Sequence, residues 1–113
     1  MSYGNIPTND SSITIDDVDT AGITVEVQNG AGVSGAASSV ANKLTEFGYN
    51  VTSVGNAESN IYKETLIIYN GESFRNQALA IKNTLNNGRC VDGSNLYNMK
   101  SDILFIIGGD LTI

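Results

Sequence analysis

The chain has 113 residues, a formal net charge of −6, one cysteine and no histidine, which allows one domain with a modest core and excludes an internal disulfide. Without histidine, Ser-His-Asp and Cys-His catalysis and histidine-containing zinc sites are excluded. The acidic residues that follow the N-terminal segment do not cluster at the spacing of metal ligands, so no metal site is expected. The six basic residues are scattered rather than grouped, so binding to nucleic acid is not expected.

The first 21 residues are rich in Asn, Asp, Ser and Thr and carry four aspartates without a basic residue. Ile13 and Ile15 are too few to hold such a segment to a core, so we predict a linker or extended arm over residues 1–21. The alternation of Ile13, Thr14 and Ile15 leaves a short edge strand open. No stretch resembles a membrane span or a signal peptide, which leaves a cytoplasmic protein or a piece of a longer exported or anchored one.

Residues 22–113 form the predicted domain. Ile23–Val27 alternates apolar and polar residues, as a half-buried strand does. A glycine-rich turn follows, and then a helix that we expect to begin with Ser34 as its cap and to end at Gly48. Tyr49–Val54 is predicted to be a second strand, parallel to the first through a right-handed crossover. The apolar stripe of the helix is Ala37, Val40, Ala41, Leu44 and Phe47.

The second half repeats this order. Leu66–Tyr69 is a short apolar run that predicts a buried strand, antiparallel to the strand before it because the connection is too short for a helical crossover. A second helix is expected between a Ser73 cap and Gly88, followed by a short extra strand near Arg89–Val91. Asp102–Ile107 is the most hydrophobic strand. The apolar stripe of the second helix is Phe74, Ala78, Ile81 and Leu85.

This order of elements predicts an α+β fold, a two-layer sandwich with a mixed sheet of four to five strands and two helices on one face. A ferredoxin-like split β-α-β arrangement fits the order. It would place the last strand at an edge of the sheet, although Ile103–Ile107 has the composition of a strand buried on both faces. An α/β three-layer sheet with helices on both faces is therefore the alternative.

The run Gly30–Gly35 spells G-x-G-x-x-G between a strand and a helix, as in dinucleotide-binding turns. Only half of a dinucleotide-binding domain fits into this length, however. The acidic residue due about 20 positions later is replaced by Asn56, and Glu58 comes two residues late. We therefore expect no NAD, FAD or other cofactor. The run is either a packing turn or a site for an anion or for glycan hydroxyls, with Asn29, Ser34 and backbone N–H groups as donors.

Several segments together resemble the LytR C-terminal domain family over about residues 22–112. The first strand ends in an N-G-x-G-x-x-G-x-A turn, and the helix leads to a Phe47-Gly48-Tyr49 step. Tyr62 and Thr65 precede a β run, and the last predicted strand leads into Ile107-Gly108-x-Asp110. The other matching positions are Leu44, Val51, the run Val54-Gly55-Asn56-Ala57, Tyr69 and Asp102.

The resemblance implies an extracytoplasmic module of a membrane-anchored bacterial cell-envelope protein, attached to a LytR-CpsA-Psr domain or standing alone behind an anchor. The family's catalytic chemistry belongs to that other domain, so no catalytic residue carries over and no enzyme is expected. The function expected here is a binding or interaction module that contacts cell-wall glycopolymer or another envelope protein. The alternative is a small nucleotide- or phosphate-binding domain that uses the Gly30–Gly35 turn, and a structural spacer role also stays open.

Seven residues are candidates for ligand binding. The tyrosine could stack on sugars or serve packing, and the aspartate after the final strand could belong to a site or form a turn. Cys90 is expected to be an inert, partly buried thiol. The ligand, the oligomeric state and the strand order are left open by the sequence. The seven candidates are Asn29, Gly30, Gly32, Ser34, Gly35, Tyr62 and Asp110.

Overall fold

A computed structural model of the chain describes residues 13–58, 61–94 and 99–111. A 3-10 turn lies before the first strand at Ile15–Asp17, and another leads into the second helix at Glu72–Phe74. No described helix is long and apolar enough to cross a membrane. The elements in chain order are β1 (Thr24–Asn29), α1 (Ala36–Glu46), β2 (Asn50–Asn56), β3 (Leu66–Tyr69), α2 (Arg75–Leu85), β4 (Arg89–Asp92) and β5 (Ile103–Ile107).

The five strands form one mixed sheet in the order β2-β1-β5-β3-β4. β1 is parallel to both β2 and β5, whereas β3 is antiparallel to β5 and parallel to β4. Both helices pack on the same cluster of strand residues, so they cover one face of the sheet. The predicted α+β class, with five strands and two helices, is confirmed. The three-layer alternative, with a helix on each face, is not the arrangement of the described elements.

The strand order differs from the ferredoxin-like expectation. A split β-α-β unit places another strand between the two that the helix connects, but here β1 and β2 are direct neighbours. β5 takes the centre of the sheet because it is apolar on both faces. Phe105 and Ile103 are fully buried on the helix side, and Ile106 on the opposite side is 2% exposed. Burying both faces of this strand is most favourable in a central position.

The C-terminus of α1 is closed by a Schellman motif. The N–H of Gly48 donates to the Thr45 carbonyl at 3.0 Å, and the N–H of Tyr49 donates to the Leu44 carbonyl at 3.1 Å. Gly48 has φ +97°, a left-handed conformation that glycine adopts without a steric cost. Tyr49 and Leu44 are both buried in the core. The prediction that Gly48 ends the helix is confirmed.

The predicted N-terminal caps are wrong. Gly35, with φ +79°, occupies the cap position of α1 and no side chain caps the helix, so Ser34 does not have that role. Ser73 lies within the 3-10 turn, and the cap position of α2 is taken by Phe74. At its other end, α2 stops at Asn86 with φ +56°, before Gly88. A left-handed glycine therefore takes the place of a side-chain cap at α1, and the 3-10 turn Glu72–Phe74 takes it at α2.

Residues 13–21, which we call the strap, pack against the helices. Ile13 is 8% exposed and forms a cluster with Leu79 and Ala80 of α2. The side-chain amide of Asn83 donates to the Ile13 carbonyl at 2.7 Å. The expectation that two isoleucines cannot hold this segment is therefore wrong for its described part, which forms a 3-10 turn instead of an edge strand. The predicted arm over residues 1–12 lies outside the described residues.

Candidate functional site

The seven candidate residues lie at one edge of the sheet. β1, β2 and β5 are parallel, so all three end there, and the segment that leads into β3 lies beside them. We call this region the carboxyl edge. Tyr62 donates its N–H to the Gly30 carbonyl at 3.1 Å, and Asp110 donates its N–H to the Lys63 carbonyl at 3.1 Å. The fold therefore brings the glycine turn together with residues 32 and 80 positions further along the chain, counted from Gly30.

Asn29 organises the glycine turn from inside. Its Oδ1 accepts hydrogen bonds from the N–H groups of Ala31 at 3.1 Å and Gly32 at 3.0 Å. Its Nδ2 donates to the Val33 carbonyl at 2.7 Å. The side chain is buried, with 6% of the residue exposed. The carboxamide thus holds the turn, and two of the N–H groups that a bound pyrophosphate would need already have an acceptor within the chain.

Three glycines of the turn are required by geometry. A Cβ on Gly30 would lie 2.6 Å from Cδ1 of Tyr62 and 2.9 Å from the Ile107 carbonyl oxygen. Gly30 therefore permits the close approach of Tyr62 and of β5. Gly32 and Gly35 have φ values of +71° and +79°, which side chains other than glycine rarely adopt.

The N-terminus of α1 keeps open hydrogen-bond donors. The N–H of Ala36 donates to the Val33 carbonyl, and the N–H of Ser39 donates to the Gly35 carbonyl. Between them, the N–H groups of Ala37 and Ser38 have no acceptor among the described residues. Such donors at a helix N-terminus favour an electron-rich ligand atom.

These donors face a groove of about 520 Å³ between the glycine turn and the end of β2. We call it the turn groove. Its exposed polar side chains are those of Ser34, Ser38 and Asn56, and Glu58 is the one charged residue in the lining. The rest of the lining is Asn29, Gly32, Gly35, Ala37, Gly55 and Ala57. The groove can therefore offer hydroxyl, amide and backbone N–H groups to a ligand.

Asp110 joins the end of β5 to the beginning of β3. Its Oδ1 accepts from the N–H of Thr65 at 2.8 Å and from the Thr65 hydroxyl at 2.9 Å. Thr65 is fully buried, and its hydroxyl oxygen accepts from the N–H of Gly108 at 3.0 Å. A Cβ on Gly108 would collide with the Glu64 carbonyl group. One carboxylate oxygen of Asp110 thus has a structural role, whereas the residue itself is exposed.

Exposed apolar side chains surround the glycine turn. Ile61 is 81% exposed and Val33 is 55% exposed. Half-buried Tyr62 lies beside Ile61, and together with Ala31 and Asp110 they line a shallow depression of about 590 Å³. Large apolar residues exposed side by side are typical of contact surfaces.

Sequence reasoning missed part of this edge. Gly55–Glu58 at the end of β2 lines the turn groove. The predicted parallel pairing of the first two strands could have indicated this segment, because the carboxyl ends of neighbouring parallel strands meet at one edge of a sheet. Thr65 and Gly108 also organise the edge, but their contacts join residues 43 positions apart and have no local signature.

The described residues contain no group of three or more His, Cys, Asp or Glu side chains that could hold a metal ion. The one thiol, Cys90, is half-buried beside the strap and α2. Burial raises its pKa to about 11, and the nearby Lys82 offsets only part of this shift. A thiol that stays protonated at neutral pH is a poor nucleophile.

Comparisons with known proteins agree with this fold. Residues 22–110 match the model of a family described as the LytR cell envelope-related transcriptional attenuator. Among solved structures, the chain is similar to the soluble domain of a conserved hypothetical secreted protein from Mycobacterium marinum, with 20% sequence identity and a TM-score of 0.67. That match covers 91% of this chain and 68% of the other, and it shows a shared fold. No curated protein matches the chain.

Proposed function

Because this chain belongs to the LytR C-terminal domain family, we propose that it is a non-enzymatic module of a bacterial cell-envelope protein that binds cell-wall glycopolymer at its carboxyl edge. We further propose an extracytoplasmic location within a membrane-anchored protein. The family's description as cell envelope-related supports the envelope context. The absence of histidine and the protonated Cys90 support a role without catalysis.

The observation that carries the proposal is the turn groove. It combines the open N–H groups of Ala37 and Ser38 with the side chains of Ser34, Ser38 and Asn56. Hydroxyl-rich sugars offer acceptors and donors that match this set. The Glu58 carboxylate in the lining disfavours the most highly charged anionic polymers. A neutral, hydroxyl-rich stretch of wall polymer is the ligand that fits best.

Removing one polar side chain from the groove tests the proposal. Asn56→Ala should weaken the binding of purified wall glycopolymer about fivefold, because one or two hydrogen bonds are lost. Asn42→Ala is the matched control, since Asn42 is an exposed asparagine of α1 that does not line the groove. Isothermal titration calorimetry on both variants measures the effect. Equal affinities for the two variants, or turnover of the polymer, would contradict the proposal.

The exposed apolar residues of the same edge favour a second candidate, contact with a partner protein. Ile61 is exposed next to Tyr62, and Val33 is exposed within the glycine turn itself. If this contact dominates, Ile61→Ser should abolish association with a partner envelope protein and leave polymer binding unchanged. Pull-down from envelope extracts with the wild-type and Ile61→Ser chains separates the two candidates.

The nucleotide- or phosphate-binding alternative has less support, because Asn29 occupies the N–H groups of Ala31 and Gly32. Thermal-shift titration with phosphate, ATP and NAD tests it directly. Stabilisation by any of them at millimolar concentration would revive it.

A further inference from the structure

The face of the sheet opposite the helices carries a second groove, which the proposed function does not use. It has a volume of about 450 Å³ and lies across β1 and β5. We call it the sheet groove. Its lining residues differ from those of the turn groove except for Glu58, which lines both.

The floor of the sheet groove is apolar. Leu104 and Ile106 of β5 form it, and Ile106 is 2% exposed while Leu104 is half-buried. Tyr62 stands at one side of this floor. A small apolar surface surrounded by a few polar groups is the usual composition of a small-molecule site.

Charged side chains of both signs surround the floor. Glu26 and Glu58 contribute two carboxylates and Lys100 contributes one ammonium group. None of the three forms an ion pair with another described residue. Nε2 of Gln28 donates to one carboxylate oxygen of Glu26 at 3.0 Å, which restrains that carboxylate at the groove.

We propose that the sheet groove binds a short peptide with free termini. The ammonium group of the peptide lies at the carboxylates of Glu26 and Glu58, and the carboxylate of the peptide lies at Lys100. The apolar floor receives an aliphatic side chain. Because the groove offers two carboxylates and one ammonium group, the amino end of the peptide should contribute more to the affinity than its carboxyl end. This site goes beyond the proposed binding of glycopolymer and stands whether or not the turn groove binds it.

The test compares blocked and unblocked forms of one peptide on the whole chain. The probe is Ala-Leu-Ala, together with its N-acetylated and C-amidated forms, titrated into ¹⁵N-labelled protein. We expect amide shifts on β1 and β5, and binding of the acetylated form about fivefold weaker, as for a partly exposed ion pair. Amidation should weaken binding less. No shifts with the free peptide, shifts confined to the turn groove, or equal affinity after acetylation would overturn the proposal.

A substitution checks the same contact from the protein side. Glu26→Gln should reduce affinity for the free peptide about fivefold and leave affinity for the acetylated peptide unchanged. Glu46→Gln is the control, because Glu46 is an exposed residue of α1 outside the groove. Asn56→Ala, which alters only the turn groove, should leave peptide binding unchanged. An equal loss in the Glu46→Gln and Glu26→Gln variants would contradict a specific contact.

Discussion

Asn29 shows how one buried side chain can set the shape of a candidate site. Its three hydrogen bonds all end on the glycine turn. Asn29→Ala removes a buried side chain and leaves the N–H groups of Ala31 and Gly32 without their acceptor. We expect it to lower the free energy of unfolding by about 2–3 kcal/mol.

Asn29→Asp is the second variant, because it keeps the acceptor oxygen but replaces the donor to Val33 with a carboxylate oxygen that faces the Val33 carbonyl. It should also lower the free energy of unfolding, since a buried charge without a partner is unfavourable. Urea denaturation of both variants measures the difference. An alanine variant as stable as the wild type would show that the turn keeps its shape without the carboxamide.

Gly108 and Gly109 are adjacent glycines that differ in the space available for a side chain. A Cβ at Gly108 has no space because the Glu64 carbonyl lies there, whereas the nearest atom to a Cβ at Gly109 is 3.8 Å away. Gly109 also has no positive φ. Gly108→Ala should therefore destabilise the fold by about 3 kcal/mol, and Gly109→Ala should change stability by less than about 0.5 kcal/mol. Thermal unfolding of the two variants tests this, and equal melting temperatures would refute it.

Cys90 gives a pH-dependent signal. With its pKa raised to about 11 by burial, alkylation by iodoacetamide at pH 8 should be about 100-fold slower than for a thiol with an ordinary pKa. The folded state binds the Cys90 proton more tightly than the unfolded state does, and this difference stabilises the fold. The stabilisation is complete below pH ~8.5 and is lost as the pH rises toward 11. Wild-type stability should fall more than that of Cys90→Ser between pH 8 and pH 10.5. Parallel pH profiles would contradict the assigned pKa.

At the scale of elements, the strap is the feature that changes the picture of the domain most. It buries Ile13 against α2, and Thr20 donates its hydroxyl to the Phe47 carbonyl at 2.9 Å. Deleting residues 1–21 should lower the free energy of unfolding by about 1–3 kcal/mol and the melting temperature by several degrees, because apolar surface of α2 becomes exposed. Deleting residues 1–12 is the control and should cost much less. Equal effects of the two deletions would show that the strap does not stabilise the domain.

The elements themselves were largely predictable, and their arrangement was not. Leu66–Tyr69 and Ile103–Ile107 are strands in both the sequence pattern and the structure, because a run of β-branched and aromatic residues has a local preference. The neighbours of β5 depend on pairing between distant segments, and its apolar composition on both faces was the only sign of its central place.

Part of the candidate site was predictable for a similar reason. A strand followed by a glycine turn and a helix places that turn at the end of a strand, so its location follows from local pattern. The roles of its members depend on distant partners. Asp110 holds Thr65, which is 45 positions earlier in the chain, and Tyr62 packs on Gly30. No local pattern shows either contact.

At the scale of the whole molecule, the packed surfaces and the proposed binding surfaces lie on different parts of the sheet. The helices and the strap cover one face. The carboxyl edge carries the turn groove and exposed apolar residues, and the other face carries the sheet groove. The excess of acidic residues in the first 21 positions leaves the remainder close to neutral, which is compatible with an uncharged polymer as the ligand.

The most direct test of the central claim is a map of the surface that wall glycopolymer contacts. Purified, size-defined polymer fragments are titrated into the ¹⁵N-labelled chain, and amide shifts are followed residue by residue. Our account predicts the largest shifts at Ala37 and Ser38, whose N–H groups lack an acceptor among the described residues, and at Asn56 and Ala57 across the groove. Saturating polymer without shifts at these four amides would contradict it, as would shifts centred on α2 or the strap.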